Sequence, residues 1–242
     1  MNSKKLLLTL CIVLISLSSS PSAADDDDRI YTPIDISIIH PISLIPTSNK
    51  TIVGLGITGV YSKSHTVHGL QVGLFQTLLG EMNGVQIGLI NTVDGMIRGF
   101  QLGLYNGGGS DYRNGFGEGC AGVCWGGIAT SYYDVSGFMF GGIFNAAVNG
   151  SAVWQLSLGG NIINELDGGL QTGFGNFGGR VVGGQTGVFN LSGAIDGFQV
   201  GVINYATEVD GVQIGLINVA GNLKGFQIGG LNFASENGLP FM

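Results

Sequence analysis

The sequence predicts an all-β repeat protein, a parallel β-solenoid with turns of 14–15 residues. One phrase, Gly-Val-Gln-Ile-Gly-Leu-Ile-Asn, recurs with small changes, every 15 residues early in the chain and every 14 residues later. Within the phrase, apolar residues alternate with small or polar ones at a period of two, as in a strand. A short, fixed step over most of a chain is typical of stacked identical units. The first glycines of the repeats are Gly69, Gly84, Gly99, Gly169, Gly183, Gly197, Gly211 and Gly225.

The unit at residues 211–224, numbered from position one to position fourteen, shows the expected facing. Positions two, four and six are apolar, and we expect their side chains to point inward. Glutamine at position three is expected to point outward, where stacked amides bond along the axis. This facing predicts that Ile214→Ala destabilises the fold more than Gln213→Ala does. Asn218, at position eight, is expected to form a corner, because asparagine tolerates the left-handed conformation. The glutamines predicted to form the outer ladder are Gln86, Gln101, Gln199, Gln213 and Gln227.

An outer-membrane antiparallel β-barrel is the alternative architecture, because alternating segments separated by turns are also typical of it. Apolar residues at position seven, such as Ile90 and Ile217, support the barrel. A strand that continued so far would carry apolar side chains on both faces. The solenoid is favoured because membrane-spanning strands need about 9–11 residues, and the alternating run is shorter. The repeat is also one unit long, whereas a barrel with distinct loops on its two sides favours a doubled repeat.

The N-terminus, residues 1–24, has the pattern of a secretory signal peptide. Two lysines precede an apolar run at residues 6–17, which is too short to span a bilayer as a helix. Small residues at 22–24 suit a signal peptidase and place the mature start at Asp25. A short membrane anchor is the alternative. We therefore expect an exported protein at the cell surface, in the outer membrane or outside the cell.

The rest of the chain is expected to form one elongated body. Residues 25–66 contain an acidic start and a strand-like segment broken by prolines, which we predict to be an N-terminal cap. A cap is needed because the open end of a solenoid exposes a strand edge. Residues 67–242 form the glycine-rich repeat array, with an irregular insert at about 107–168. The insert is interpreted either as eroded repeats that still pack or as a functional face.

Composition argues against some classes of function. The formal net charge is −7, and the few basic residues are scattered. The electrostatic pattern of a nucleic-acid-binding protein is therefore absent. Two cysteines, Cys120 and Cys124, remain after the predicted signal peptide. An oxidising compartment permits a disulfide between them, and two free buried thiols are the alternative.

We expect no catalytic residue, no cofactor-binding residue and no metal ligand. His65 and His68 would lie on opposite faces of a strand, which disfavours a shared metal. No nucleophile elbow, phosphate-binding loop or metalloprotease motif is present. A carbohydrate-active enzyme on a solenoid scaffold is a less favoured alternative. The carboxylates that such an enzyme would use in the insert are Asp111, Glu118 and Asp134. The carboxylates expected at solvated corners are Glu81, Asp94, Asp196, Glu208 and Asp210.

The phrases Gly-Val-Gln-Ile-Gly-Leu-Ile-Asn at residues 84–91 and Gly-Phe-Gln-Val-Gly-Val-Ile-Asn at residues 197–204 resemble the repeats of bacterial surface-repeat proteins, of the secreted or lipoprotein type. The segments Pro-Ile-Asp-Ile-Ser and Ile-Ser-Leu-Ile-Pro are similar to the lead-in of those proteins. The resemblance covers most of the mature chain and implies export and a surface role. It carries no established activity or site residues, and this chain lacks a clear lipid-attachment cysteine.

Together these observations predict a non-catalytic exported repeat protein of the cell surface or envelope, which displays a repetitive glycine-glutamine face for adhesion or structural interaction. Its ligand would be an unidentified surface or envelope component. We expect no nucleic-acid partner, and membrane association is left open. The alternative function is that of an outer-membrane β-barrel with a structural or pore role.

Overall fold

The computed structural model describes residues 29–108, 119–236 and 239–241. All regular structure in these ranges is β-strand, and no helix there is long and apolar enough to cross a membrane. The strands are β1 (Ile30–Ile39), β2 (Ile42–Ser43), β3 (Lys50–Ser64), β4 (Thr66–Val72), β5 (Phe75–Leu78), β6 (Met82–Ile87), β7 (Ile90–Val93), β8 (Ile97–Gly108), β9 (Gly119–Gly141), β10 (Phe144–Ser157), β11 (Gly160–Glu236) and β12 (Leu239–Phe241).

Strands of successive turns stack in parallel, which confirms the predicted β-solenoid. One ladder of pairings runs through β3, β4, β6, β8, β9, β10 and β11, and a second joins β3, β5, β7 and β8. Equivalent residues pair from turn to turn, as Gly69 does with Gly84 and Gly84 with Gly99. Among the described residues, the one antiparallel pair is β1 with the short β2. The antiparallel neighbours expected of a barrel are therefore not found in the described array.

The longest strand, β11, winds through several turns of the solenoid. It is continuous over 77 residues, yet residues 14 apart within it are hydrogen-bonded. Gln213 Nε2, for example, donates to Gln199 Oε1 at 2.7 Å. The chain therefore stays extended through its corners in this half of the molecule.

The facing of the repeat is the reverse of the prediction. Gln213 is completely buried, whereas Ile214 is 41% exposed and Leu216 is 61% exposed. Positions two, four and six point outward, and the glutamines at position three point inward. The reversal is possible because each buried amide bonds to its copies in the neighbouring turns, which offsets the cost of removing it from water.

The glutamines form a ladder of amide hydrogen bonds along the interior. Gln213 Nε2 donates both to Gln199 Oε1 and to the carbonyl oxygen of Val219, at 3.3 Å. The prediction of a ladder is thus correct, although its predicted outward position is wrong. One run of the ladder contains Gln71, Gln86 and Gln101, and the other contains Gln155, Gln171, Gln185, Gln199, Gln213 and Gln227.

The asparagines at position eight form a second ladder rather than the predicted corner. Asn204 Nδ2 donates to Asn218 Oδ1 and to the carbonyl oxygen of Ile214, both at 2.8 Å. Only the NH₂ group can donate to a carbonyl, so this contact fixes the orientation of the amide. Asparagines donate toward later turns and glutamines toward earlier turns. The two ladders therefore run in opposite directions along the axis.

Two glycines of the repeat make this packing possible. Gly211, at position one, has φ of 143°, and a Cβ there would overlap the carbonyl oxygen of Gly197 in the previous turn. Gly215, at position five, lies against the asparagine ladder, and a Cβ would come within 2.6 Å of Asn204 Nδ2. The motif Gly-x-Gln-x-Gly-x-x-Asn thus contains the two ladder residues and the two glycines that leave room for the stack.

An aliphatic strip completes the interior. Its side chains come from position ten and from positions thirteen or fourteen, and they are almost fully buried. In β11 the strip includes Ala206, Val209, Ala220 and Leu223. The interior is therefore part amide and part aliphatic, whereas we predicted that the apolar residues of positions two, four and six would fill it.

The N-terminal turn contains a buried ion pair instead of amides. Lys50 Nζ lies 2.7 Å from Asp35 Oδ2, and the two side chains are 1% and 2% exposed. Lys50 Nζ also donates to the carbonyl oxygen of Ile45 and to Ser43 Oγ. β1 pairs in parallel with β3, so this turn stacks on the array.

Candidate functional site

One side of the outer surface of the array presents exposed apolar side chains in most turns. We use the name apolar ridge for the corner at which the first strand of each turn leads into the second strand. Its side chains are between 41% and 86% exposed, and Leu158 is the most exposed of them. The apolar ridge consists of Leu74, Leu89, Leu104, Ile143, Leu158, Phe174, Val202 and Leu216.

Apolar side chains also cover the two faces beside the ridge. On the first face, outward residues of positions two and four include Trp125, Trp154 and Ile228, which are 45% to 57% exposed. On the second face, Tyr205 and Phe233 at position nine are 44% and 55% exposed. Contiguous apolar patches larger than a few hundred Å² are rare on soluble monomers and mark interaction sites. The ridge and the two faces together form the strongest candidate functional surface.

The charges of the array are confined to the opposite corner. Within the described part of residues 67–235, every charged side chain occupies positions eleven to fifteen of its repeat. We call this set the charged corner, and it has eight acidic and three basic residues. Its members are Glu81, Asp94, Arg98, Asp134, Glu165, Asp167, Arg180, Asp196, Glu208, Asp210 and Lys224. The five carboxylates predicted at corners therefore lie there.

A groove of about 470 Å³ opens along the middle of the charged corner. Its lining includes Asp134, Glu165, Asp167 and Arg180. Asp134 and Glu165 lie two turns apart, and Asn149 between them pairs with both. Asn149 Nδ2 donates to Asp134 Oδ1 at 2.8 Å. A smaller groove of about 170 Å³ continues from Arg180 along the same corner.

The insert carboxylates are only partly brought together. Asp134 reaches the larger groove, whereas Asp111 and Glu118 lie outside the described residues. Glu165 and Asp167, which were not predicted to be site residues, lie exposed in the groove. Exposed carboxylates can bind cations or hydroxyl groups weakly. Their position in the repeat could have identified these carboxylates from the sequence. Glu165 is in register with Asn149, and Asn149 is in register with Asp134.

The histidines are held by separate local contacts. His65 Nδ1 lies 2.9 Å from Thr66 Oγ1, and His68 Nδ1 lies 3.1 Å from Asn83 Nδ2. Burial lowers the pKa of His40, with further lowering by two nearby lysines and an opposing contribution from Asp35. Among the described residues, no cluster of three or more His, Cys, Asp or Glu side chains is placed to hold a metal ion.

The middle of the array replaces ladder amides with sulfur and a phenol. Cys124 and Met139 occupy position three, and Cys124 forms a disulfide with Cys120. The hydroxyl of Tyr132 donates to Gln101 Oε1, which ends the first run of the glutamine ladder. Burial raises the pKa of Tyr132 well above its ordinary value, and nearby Tyr105 adds to the shift.

The fold and its surfaces define a class of protein, a parallel β-solenoid with buried amide ladders, an apolar outer surface and one charged corner. No protein-family model matches the chain, and no similar chain was found among curated proteins or among solved structures.

Proposed function

We propose that this chain is a non-catalytic exported protein of the cell surface or envelope, which acts by contact in adhesion or structural interaction. The observation that supports this function best is the repetition of outward apolar side chains along the whole array. Leu74 near one end and Leu216 near the other are 42% and 61% exposed. A row of similar side chains presents many equivalent contacts to an extended ligand.

The displayed surface differs from the one expected from the sequence. A glycine-glutamine face was expected to meet the ligand, but the glutamines are buried and serve the stack. The contact surface that we propose is instead the apolar ridge with its two flanking faces. The signal-like N-terminus and the resemblance to bacterial surface-repeat proteins support export of this scaffold.

A location experiment tests the export part of the proposal. The full-length chain is expressed in a bacterial host, the cells are fractionated, and the N-terminal residues of the purified protein are sequenced. We expect a mature protein that begins at Asp25 and is accessible to added protease on intact cells. A protein that retains Met1 and stays in the cytosol would contradict the proposal.

A matched pair of variants separates contact from catalysis. Leu158→Asn changes the apolar ridge, and Asp167→Asn changes the acidic groove, both at exposed positions. We expect Leu158→Asn to reduce association of the protein with the cell envelope, with Asp167→Asn having no effect. A substrate-processing activity that Asp167→Asn abolishes and Leu158→Asn preserves would favour the hydrolase alternative.

A further inference from the structure

We propose that the apolar ridge and its two flanking faces bind a lipid surface, with the array lying lengthwise in the interface and the charged corner in water. This inference builds on the contact function proposed above and names the chemistry of the partner. The array separates its outward side chains into an apolar side and a charged corner.

This division of apolar and charged side chains is typical of a structural element that lies in a membrane interface. A helix that lies in a membrane interface has one apolar face and one charged face. Here a solenoid has the same division around its axis, because the ridge is apolar in turn after turn and all described charges of residues 67–235 lie at the charged corner. At about 4.8 Å per turn, the ridge extends for on the order of 40–50 Å.

The continuity of the apolar surface favours lipid over a second copy of the chain. A second solenoid packed against one flat face would cover that face alone. Leu158 on the ridge and Tyr205 on the second face would then remain in water. A lipid surface can cover the ridge and both flanks at once.

The hydrogen bonding of the backbone is also compatible with an apolar environment. In lipid, every peptide group needs an internal partner. The described strands of the array pair with their neighbours along the axis, and the amide side chains that would be costly in lipid are buried inside the solenoid. The outward surface therefore presents apolar side chains rather than unpaired polar groups.

Charge predicts which lipids are preferred. The charged corner has eight acidic and three basic residues, so the described array has no basic cluster that would attract anionic headgroups. We therefore expect a zwitterionic lipid surface. The two tryptophans of the chain, Trp125 and Trp154, are 52% and 57% exposed on the first face. Tryptophan is common at membrane interfaces, and these two residues supply a natural fluorescent reporter.

The test uses the protein as the expressing cell processes it, mixed with vesicles of phosphatidylcholine. We expect the protein to float with the vesicles in a density gradient, and we expect brominated phosphatidylcholine to quench its tryptophan emission. The double variant Leu158→Asn and Leu216→Asn should bind these vesicles at least tenfold more weakly. The control, Glu208→Gln with Asp210→Asn, changes the charged corner and should bind as the wild type does.

The fold of each variant is checked by circular dichroism and thermal unfolding, which exposed substitutions should leave nearly unchanged. Absence of flotation together with unquenched tryptophan would overturn the lipid proposal. So would a stable dimer, seen by sedimentation, that the ridge variant dissociates and that does not bind vesicles. Stronger binding to vesicles rich in phosphatidylserine would overturn the zwitterionic preference. The exported protein could associate with cells through the ridge and yet fail to bind vesicles. That result would support the contact function and would overturn lipid as its partner.

Discussion

The interior of the array differs between the regular block, residues 169–232, and the middle block, residues 119–157. Both blocks need hydrogen-bond partners for buried polar groups, and they supply them with different residues. In the regular block each position three is glutamine, and each amide bonds to its copy in the turn before. In the middle block, Cys124 and Met139 take that position, and Tyr132 donates to the last glutamine of the earlier run. On the other side of this break in the glutamine ladder, Gln155 Nε2 donates to Met139 Sδ at 3.5 Å.

Comparison of the two blocks shows that a ladder of buried amides needs a polar partner at each of its ends as well as along its length. Inside a ladder, each amide is satisfied by its neighbours, so repetition supplies the partners. Where the ladder stops, one acceptor or donor is left without a copy, at a cost of about 1–3 kcal/mol. The phenol of Tyr132 supplies such an end partner. At the far end of the array, Gln227 Oε1 is buried and has no hydrogen-bond donor among the described residues, as expected where a ladder stops without an end partner.

The largest expected effect comes from breaking the close stacking of the regular block. Gly211→Ala puts a Cβ on a residue with φ of 143° and onto the carbonyl oxygen of Gly197. We expect a loss of more than about 4 kcal/mol in the free energy of unfolding, or no folded protein. Urea titration followed by circular dichroism measures it. Gly160→Ala is the control, because its nearest atom would be Gly175 O at 3.3 Å, and it should cost less than about 1 kcal/mol. Equal effects of the two substitutions would show that the stack is looser than the structure indicates.

The second effect comes from breaking one rung of the glutamine ladder. Gln213→Ala leaves Gln227 Nε2 without its ladder acceptor and Gln199 Oε1 without its donor. We expect a loss of roughly 2–4 kcal/mol, because two buried groups lose a partner. Ile214→Ala removes a side chain that is 41% exposed, and it should cost about 1 kcal/mol or less. The same urea titration compares them, and a larger loss for Ile214→Ala would mean that the repeat faces the other way.

This reversed order of effects shows what the sequence could and could not predict. The 14–15-residue step was enough to favour parallel stacking, because a barrel with distinct loops on its two sides favours a doubled repeat. Alternation at a period of two separates the two faces, but it does not say which face is inside. The usual rule that apolar residues are buried then gave the wrong answer for Ile214.

A signal for the correct facing was present in the repeats themselves. Position three is glutamine in nearly every clear copy, whereas position four varies among Ile214, Val200 and Thr186. A position that accepts threonine as readily as isoleucine is typical of a surface. The gathering of Glu165 and Asp167 beside Asp134 was not predicted either, because the irregular insert hides the register that joins them.

The third prediction concerns the disulfide of the middle block. Cys120 and Cys124 are 1% and 0% exposed, and their bond closes a small loop at the break in the glutamine ladder. Closing so short a loop stabilises the fold by about 2 kcal/mol in the chain-entropy model. We expect the double variant Cys120→Ala and Cys124→Ala to unfold at correspondingly lower urea, with no further change when a reductant is added. A reductant should destabilise the wild type by a similar amount at equilibrium, and a wild type indifferent to reductant would contradict the prediction.

The smallest effect tests the phenol that ends the first run of the ladder. Tyr132 is buried, and its pKa is raised well above the ordinary value of a phenol. Below a pH of about 10, the phenol is protonated in both the folded and the unfolded chain, so it adds no pH dependence. Above that pH the unfolded chain releases the proton and the folded chain does not. The folded state should therefore lose about 1.4 kcal/mol per pH unit relative to Tyr132→Phe, up to the pKa of the folded state.

The Tyr132→Phe variant isolates this effect from the other residues that titrate at alkaline pH. It should be less stable than the wild type by about 1 kcal/mol at neutral pH, because Gln101 Oε1 loses a donor. As the pH rises from 9 to 11, the wild type should lose this advantage and then become the less stable protein. Parallel stability curves for the two proteins across that range would show that Tyr132 is exposed to water, and that another group ends the ladder.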